Sequence, residues 1–174
     1  MKKIENWEAE TEVMVERATG FFRQGYNCSQ SVAMAFADYY DIPMGMITQL
    51  SASFGGGIGR MRETCGSACA IFMLSALETV TEEASQERKK QNYEAVQRLA
   101  ADFRRETGSI VCKELLGLNK KRADGTIPEI EIVATPEART EEYYRKRPCI
   151  RMVEVAVRIY MRYLKELREK EVAV

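Results

Sequence analysis

Apolar residues recur at three- and four-residue spacing along almost the whole chain, and no stretch alternates long enough to make a half-buried strand, so the pattern predicts an all-α fold. Ile4, Trp7, Met14, Ala18 and Phe21 form the stripe of a first amphipathic helix that stops at Gly25. Asn27 caps a second helix, in which Cys28, Val32, Phe36 and Tyr39 share a face as far as Asp41 and Pro43. A third, short helix is expected from Pro43 to Ser53, ending in the only glycine run, Gly55-Gly56-Gly57-Ile58-Gly59. Thr64 has the chemistry of an N-cap for an apolar helix from Cys65 to about Val80.

A long charged helix follows from about Glu82 to Glu106, with Val96, Leu99 and Phe103 inward and Gly108 closing it. Ser109 opens a short helix through Cys112 to Leu116. From Gly117 to Ala134 the chain carries Asp124-Gly125 and Pro128 and is expected to be a loop, with a short extended piece between Ile127 and Val133. Thr135-Pro136-Glu137 is an N-cap followed by proline at the first helical position, so another helix is expected to reach Lys146. Pro148 starts the last helix, where Cys149, Val153, Ala156, Tyr160 and Tyr163 make one stripe. No internal repeat or low-complexity linker interrupts the pattern. The 174 residues are therefore expected to form a single multi-helix bundle over 1–174, with a glycine-rich loop between helices.

Charge narrows the function. Lys plus Arg is 26 and Asp plus Glu is 26, so no net field draws the molecule to nucleic acid or to an anionic membrane. Arg88, Lys89, Lys90, Arg98, Arg104 and Arg105 are interleaved with Glu82, Glu83, Glu87, Glu94, Asp102 and Glu106, which reads as a solvated helix face. After Met1-Lys2-Lys3 come Glu5, Glu8, Glu10 and Glu12 where the apolar core of a secretion signal would stand. The most apolar window, Ala68 to Leu77, is well short of the ~18 residues a membrane span needs. A cytoplasmic protein without nucleic-acid or membrane partners is expected. The chain has no histidine, which removes Ser-His-Asp and Cys-His catalysis and every histidine-ligated metal site. Five cysteines remain.

Four of these share a local context, since each lies at or within the first turn of a predicted helix: Cys28 after Asn27, Cys65 after Thr64, Cys112 three after Ser109, Cys149 after Pro148. Unpaired amides and the positive helix end favour a thiolate, so lowered thiol pKa values and convergence of the four sulfurs in one partly buried pocket are expected. A cysteine on an apolar stripe is also a good small core residue, and both readings stand at this point. Cys69 is one helical turn from Cys65 and offers it a neighbouring thiol. Four inward thiolates suit either dithiol/disulfide cycling or all-cysteine ligation of an iron–sulfur cluster or zinc, with Cys28, Cys65, Cys112 and Cys149 as the ligands. Thiol chemistry is favoured, because no local C-x-x-C pair exists to start metal assembly.

In the glycine run, Gly55, Gly56, Gly57 and Gly59 with Arg60 and Arg62 are candidates to hold a small anion through backbone N–H groups. The competing reading is a tight helix crossing where only glycine fits.

Four stretches together resemble the redox-active C_GCAxxG_C_C proteins: Gly25-Tyr-Asn-Cys-Ser-Gln-Ser-Val, Phe54-Gly-Gly-Gly-Ile-Gly-Arg-Met-Arg-Glu-Thr-Cys-Gly-Ser-Ala, Val111-Cys-Lys-Glu-Leu-Leu-Gly117 and Arg147-Pro-Cys149. The resemblance covers about residues 13–164 and places the family's cysteines on Cys28, Cys65, Cys112 and Cys149 and its glycine loop on Gly55 to Gly59. It implies a redox role, with a redox partner and a metal or iron–sulfur centre as the family's suspected equipment. The chain departs from the pattern at Ala70, which stands where the motif after Cys65 has its last glycine, at the additional thiol Cys69, and in a 117–140 stretch longer than the family's. A rival expectation from another class is a non-catalytic helical module, a homodimer through its tyrosine-rich C-terminal helix, that binds a small anionic ligand at the glycine loop.

Overall fold

The computed structural model describes residues 4–81 and 84–172. It contains eight helices: α1 Trp7–Arg23, α2 Cys28–Ala35, α3 Met44–Ala52, α4 Gly66–Thr79, α5 Gln86–Thr107, α6 Cys112–Leu115, α7 Glu141–Lys146 and α8 Cys149–Val172. Among the described residues there is no strand, and no helix is long and apolar enough to cross a membrane. The all-α expectation holds.

α4 is apolar on most sides and is accordingly buried, packed against α2, α5 and α8. α8 has the opposite character, an apolar stripe and a charged back, and its stripe of Met152, Val153, Ala156, Val157, Tyr160 and Leu164 runs along α1, α2, α4 and α5. Tyr160 and Tyr163 lie in this core with 0% and 5% exposure, so they pack helices of one chain. At its far end the core carries one buried carboxylate, Glu78, paired with Arg168 at 2.5 Å and accepting from the Tyr40 hydroxyl at 2.7 Å.

The second helix starts at its expected cap, where Asn27 and Gln30 form a capping box, and α1 is capped by Asn6, whose side chain accepts from the Ala9 amide. Other boundaries differ. α2 ends at Ala35, and the chain continues to Asp41 as tighter turns in which the Phe36 and Ala37 amides bond three residues back. Cys65, not Thr64, caps α4, because Thr64 is drawn into an antiparallel bridge with Val111. The helix expected from Pro136 begins at Glu141, capped by Thr140, whose hydroxyl accepts from the Tyr143 amide. Residues 117–140 form no strand. The start expected at Glu82 lies outside the described residues; the helix is in place from Gln86 with Ser85 as its cap.

Candidate functional site

Two short-range devices carry the cysteines to one end of the bundle. The first is the Thr64–Val111 bridge, in which the Cys65 amide donates to the Ile110 carbonyl at 2.7 Å and the Cys112 amide donates to the Glu63 carbonyl at 2.6 Å. It holds the starts of α4 and α6 side by side. The second is Asn27, which caps α2 through Oδ1 and reaches across with Nδ2 to the Ala52 carbonyl at 2.8 Å, fixing the start of α2 against the end of α3. Cys28 is the first residue of α2, Cys112 of α6 and Cys149 of α8, while Cys65 immediately precedes α4.

Two glycines make the approach sterically possible. A Cβ on Gly66 would stand 2.6 Å from the Cys28 sulfur and 2.6 Å from the Phe54 carbonyl oxygen, and one on Gly57 would stand 2.6 Å from the Cys112 Cβ. No real side chain tolerates such contacts, so these positions exclude even alanine without movement.

The result is a cavity of about 60 Å³ lined by Cys28, Cys65, Cys112 and Cys149, with Phe22, Leu115 and Met152 as apolar wall and Arg62, Arg139 and Arg147 as its charged rim. Sequence reasoning named all four cysteines. Cys69 does not line this cavity: it sits one turn along α4, its thiol directed to the Thr64 carbonyl at 3.8 Å.

The expected lowering of thiol pKa values is overturned. Burial pushes the Cys65 thiol well up, and a charged Cys28 would push it further, against the opposing pull of the Ser67 and Ala68 amides. Cys69 is raised to about 12 by burial and then by Cys28. Burial and then Cys28 also raise Cys112, against opposition from Arg62 and from Arg147. Cys149 is raised to about 12 by burial, Cys28 and Cys112, with Arg147 and Arg139 opposing. Cys28 is thus within electrostatic reach of each of the other four thiols.

The glycine loop uses its residues in two ways. Gly57 serves close packing against Cys112, and Gly55 does the same against Asn27, where a Cβ would stand 2.5 Å from Cγ. Gly55, Gly56 and Gly59 line a second hollow of about 290 Å³ together with Arg60, Arg62, Arg139 and Arg147. Three residues other than glycine, Ile58, Arg60 and Arg62, are held at φ of 58°, 64° and 64°, a left-handed conformation costing about 1–2 kcal/mol per residue. Arg139 and Arg147 escaped the sequence reading of the site. Arg147 had a signal in its place beside Pro148-Cys149, whereas Arg139 stands in the long stretch before α7 with no periodic pattern around it.

Among the described residues no three cysteine, aspartate or glutamate side chains are arranged to hold a metal ion. Cys28, Cys65, Cys112 and Cys149, which line one cavity, are the residues that would hold an iron–sulfur or zinc centre.

A family model described as "Putative redox-active protein (C_GCAxxG_C_C)" matches residues 26–163. No curated protein and no solved structure matches the chain.

Proposed function

Because the chain belongs to the C_GCAxxG_C_C family of redox-active proteins, we propose that Cys28, Cys65, Cys112 and Cys149 are a dithiol/disulfide centre that exchanges two electrons with an external disulfide. The observation that carries this reading is the single cavity to which four separate segments each contribute one cysteine.

Cys112 is assigned as the attacking thiol, with Arg62 and Arg147 offsetting part of the burial that raises it. Its sulfur attacks one sulfur of the external disulfide R–S–S–R and releases R–S⁻, which takes up the proton Cys112 gave. The Cys28 thiol then attacks the mixed disulfide, its proton passing to the second R–S⁻, which leaves as R–SH. Two protein thiols are oxidised to one protein disulfide and one external disulfide is reduced to two thiols. Exchange runs in either direction according to the potentials of the two couples. Raised thiol pKa values keep the reduced protein mostly neutral near pH 7, so the centre is a slow, selective reductant. A cytoplasmic placement, where free thiols persist, goes with this reading.

The test is turnover of 2-hydroxyethyl disulfide by the reduced protein. Two mercaptoethanol molecules are expected per protein disulfide formed, with the rate down at least tenfold in Cys112→Ser and in Cys28→Ser. A Cys28→Ser/Cys112→Ser double variant that still reacts at the parent rate would contradict the assignment.

A further inference from the structure

The cavity of the four cysteines does not open onto neutral surface. It shares Asn27, Gly56, Arg62, Arg139, Tyr143 and Arg147 with the adjoining hollow of about 290 Å³, to which Arg60 adds a further guanidinium. Four arginines therefore face this cleft, and Glu137 is the one carboxylate among the described residues lining it. Glu137 is engaged by Arg147 and lies 4.0 Å from Arg62.

Arg147 is paired with Glu137 and Arg60 Nε donates to the Val133 carbonyl at 2.9 Å, but Arg62 and Arg139 are incompletely paired. Arg62 is only 7% exposed, yet its ion pair is that long contact to Glu137. A buried guanidinium whose carboxylate partner stands this far off is only partly compensated, and an anion would relieve it. Arg139 lies over the rings of Phe22 and Tyr143, with its guanidinium carbon 4.5 Å and 4.6 Å from the two ring centres. Its Nη2 donates to the Tyr26 carbonyl at 3.3 Å, while Nη1 is buried with no hydrogen-bond partner. Arg60 and Arg62 are both delivered by left-handed backbone, and strain of this kind persists where surrounding structure enforces it, characteristically at ligand sites. Arg60 is held below the usual arginine range by burial and by the charge of Arg62.

We infer that this cleft binds the carboxylate end of a small anionic disulfide and so selects the partner of the cysteine centre by charge. The inference rests on the redox reading above and names its substrate class. The cleft and the cysteine cavity share Arg62 and Arg139 as walls, so a molecule anchored by a carboxylate on these two would present its sulfur–sulfur bond toward Cys112. Arginine suits the task because its fork of N–H donors matches a carboxylate. The stretch that is longer than the family's supplies Glu137 and Arg139, which gives that stretch a role in specificity.

Three disulfides of similar length but different charge provide the test: dithiodiglycolate, 2-hydroxyethyl disulfide and cystamine, each rate divided by that of dithiothreitol with the same disulfide. Dithiodiglycolate is expected to be favoured at least tenfold over the neutral compound and more over cystamine, with the preference falling as salt rises. Arg139→Gln and, independently, Arg60→Gln should each reduce that preference to below threefold. Adipate, which has the length and charge of dithiodiglycolate without the sulfurs, is expected to bind the reduced protein in calorimetry, and 1,6-hexanediol is not. Adipate binding with no turnover of any disulfide would remove the redox reading and keep the anion cleft. Equal normalised rates for the three disulfides, with no adipate binding, would overturn the cleft and leave the redox reading standing.

Discussion

At Cys149 two effects of opposite sign meet. The start of α8 offers a negative charge about 0.3–1 kcal/mol at an exposed site, whereas burial moves an ionisable group by up to about 3–5 pKa units at ~1.36 kcal/mol each. Burial wins, and the thiol stands at about 12 against an ordinary 9.0. Alkylation followed against pH should give half-maximal rates near 12 for Cys149 and Cys69, and values near 8.5 would refute the burial argument. The same shift bears on stability. A thiol raised in the folded state binds its proton more tightly there, so its contribution is complete below pH 9 and is lost as pH climbs from 9 toward 12. Urea midpoints should fall between pH 8.5 and 11, and fall less in Cys149→Ala. Gly66→Ala is a residue-scale test of geometry: its Cβ would enter the space of the Cys28 sulfur and the Phe54 carbonyl. A loss of about 1–3 kcal/mol in urea unfolding is expected, and an unchanged midpoint would mean the close approach is absent.

Among the elements, α2 shows how a local cap reaches the site. Asn27 satisfies the Ser29 and Gln30 amides and also donates from Nδ2 to Ala52, so it joins α2 to α3 directly before Cys28. Asn27→Ala should cost about 1–2 kcal/mol, while Asn27→Asp keeps the cap and should recover most of that. Equal losses in the two variants would mean that the link to Ala52 dominates. This cap was legible in the sequence because Asn27 and Gln30 stand at capping-box spacing before an apolar run. The α7 start was not. Thr135-Pro136-Glu137 and Thr140-Glu141-Glu142 carry similar start signals, and the first stays outside any helix where Glu137 pairs with Arg147 and Arg139 stacks on Phe22 and Tyr143. Those are long-range contacts that no local pattern encodes. Thr64 is a similar case, since its backbone is committed to Val111, 47 positions away (111−64).

For the whole molecule, the legible part of the site is the part built on helix starts. Cys28, Cys65, Cys112 and Cys149 each mark the beginning of an element, and helix packing then gathers those beginnings at one end of the bundle. The arginine rim was only partly legible. Arg60 and Arg62 stand in the glycine run itself, but Arg139 and Arg147 gain their meaning from the path of residues 117–148 over the site. The balance of effects was the illegible property: the sequence predicts a partly buried pocket in which the helix-start effect outweighs burial, and burial instead reverses the sign of the shift. The central claim, that these four thiols are a redox unit, is met most directly by mapping disulfides after mild oxidation of the metal-free reduced protein with diamide, by mass spectrometry of unreduced peptides. The account predicts intramolecular disulfides confined to Cys28, Cys65, Cys112 and Cys149, with the Cys28–Cys112 linkage first and Cys69 still free. Four cavity thiols that remain reduced while Cys69 alone is oxidised would contradict it.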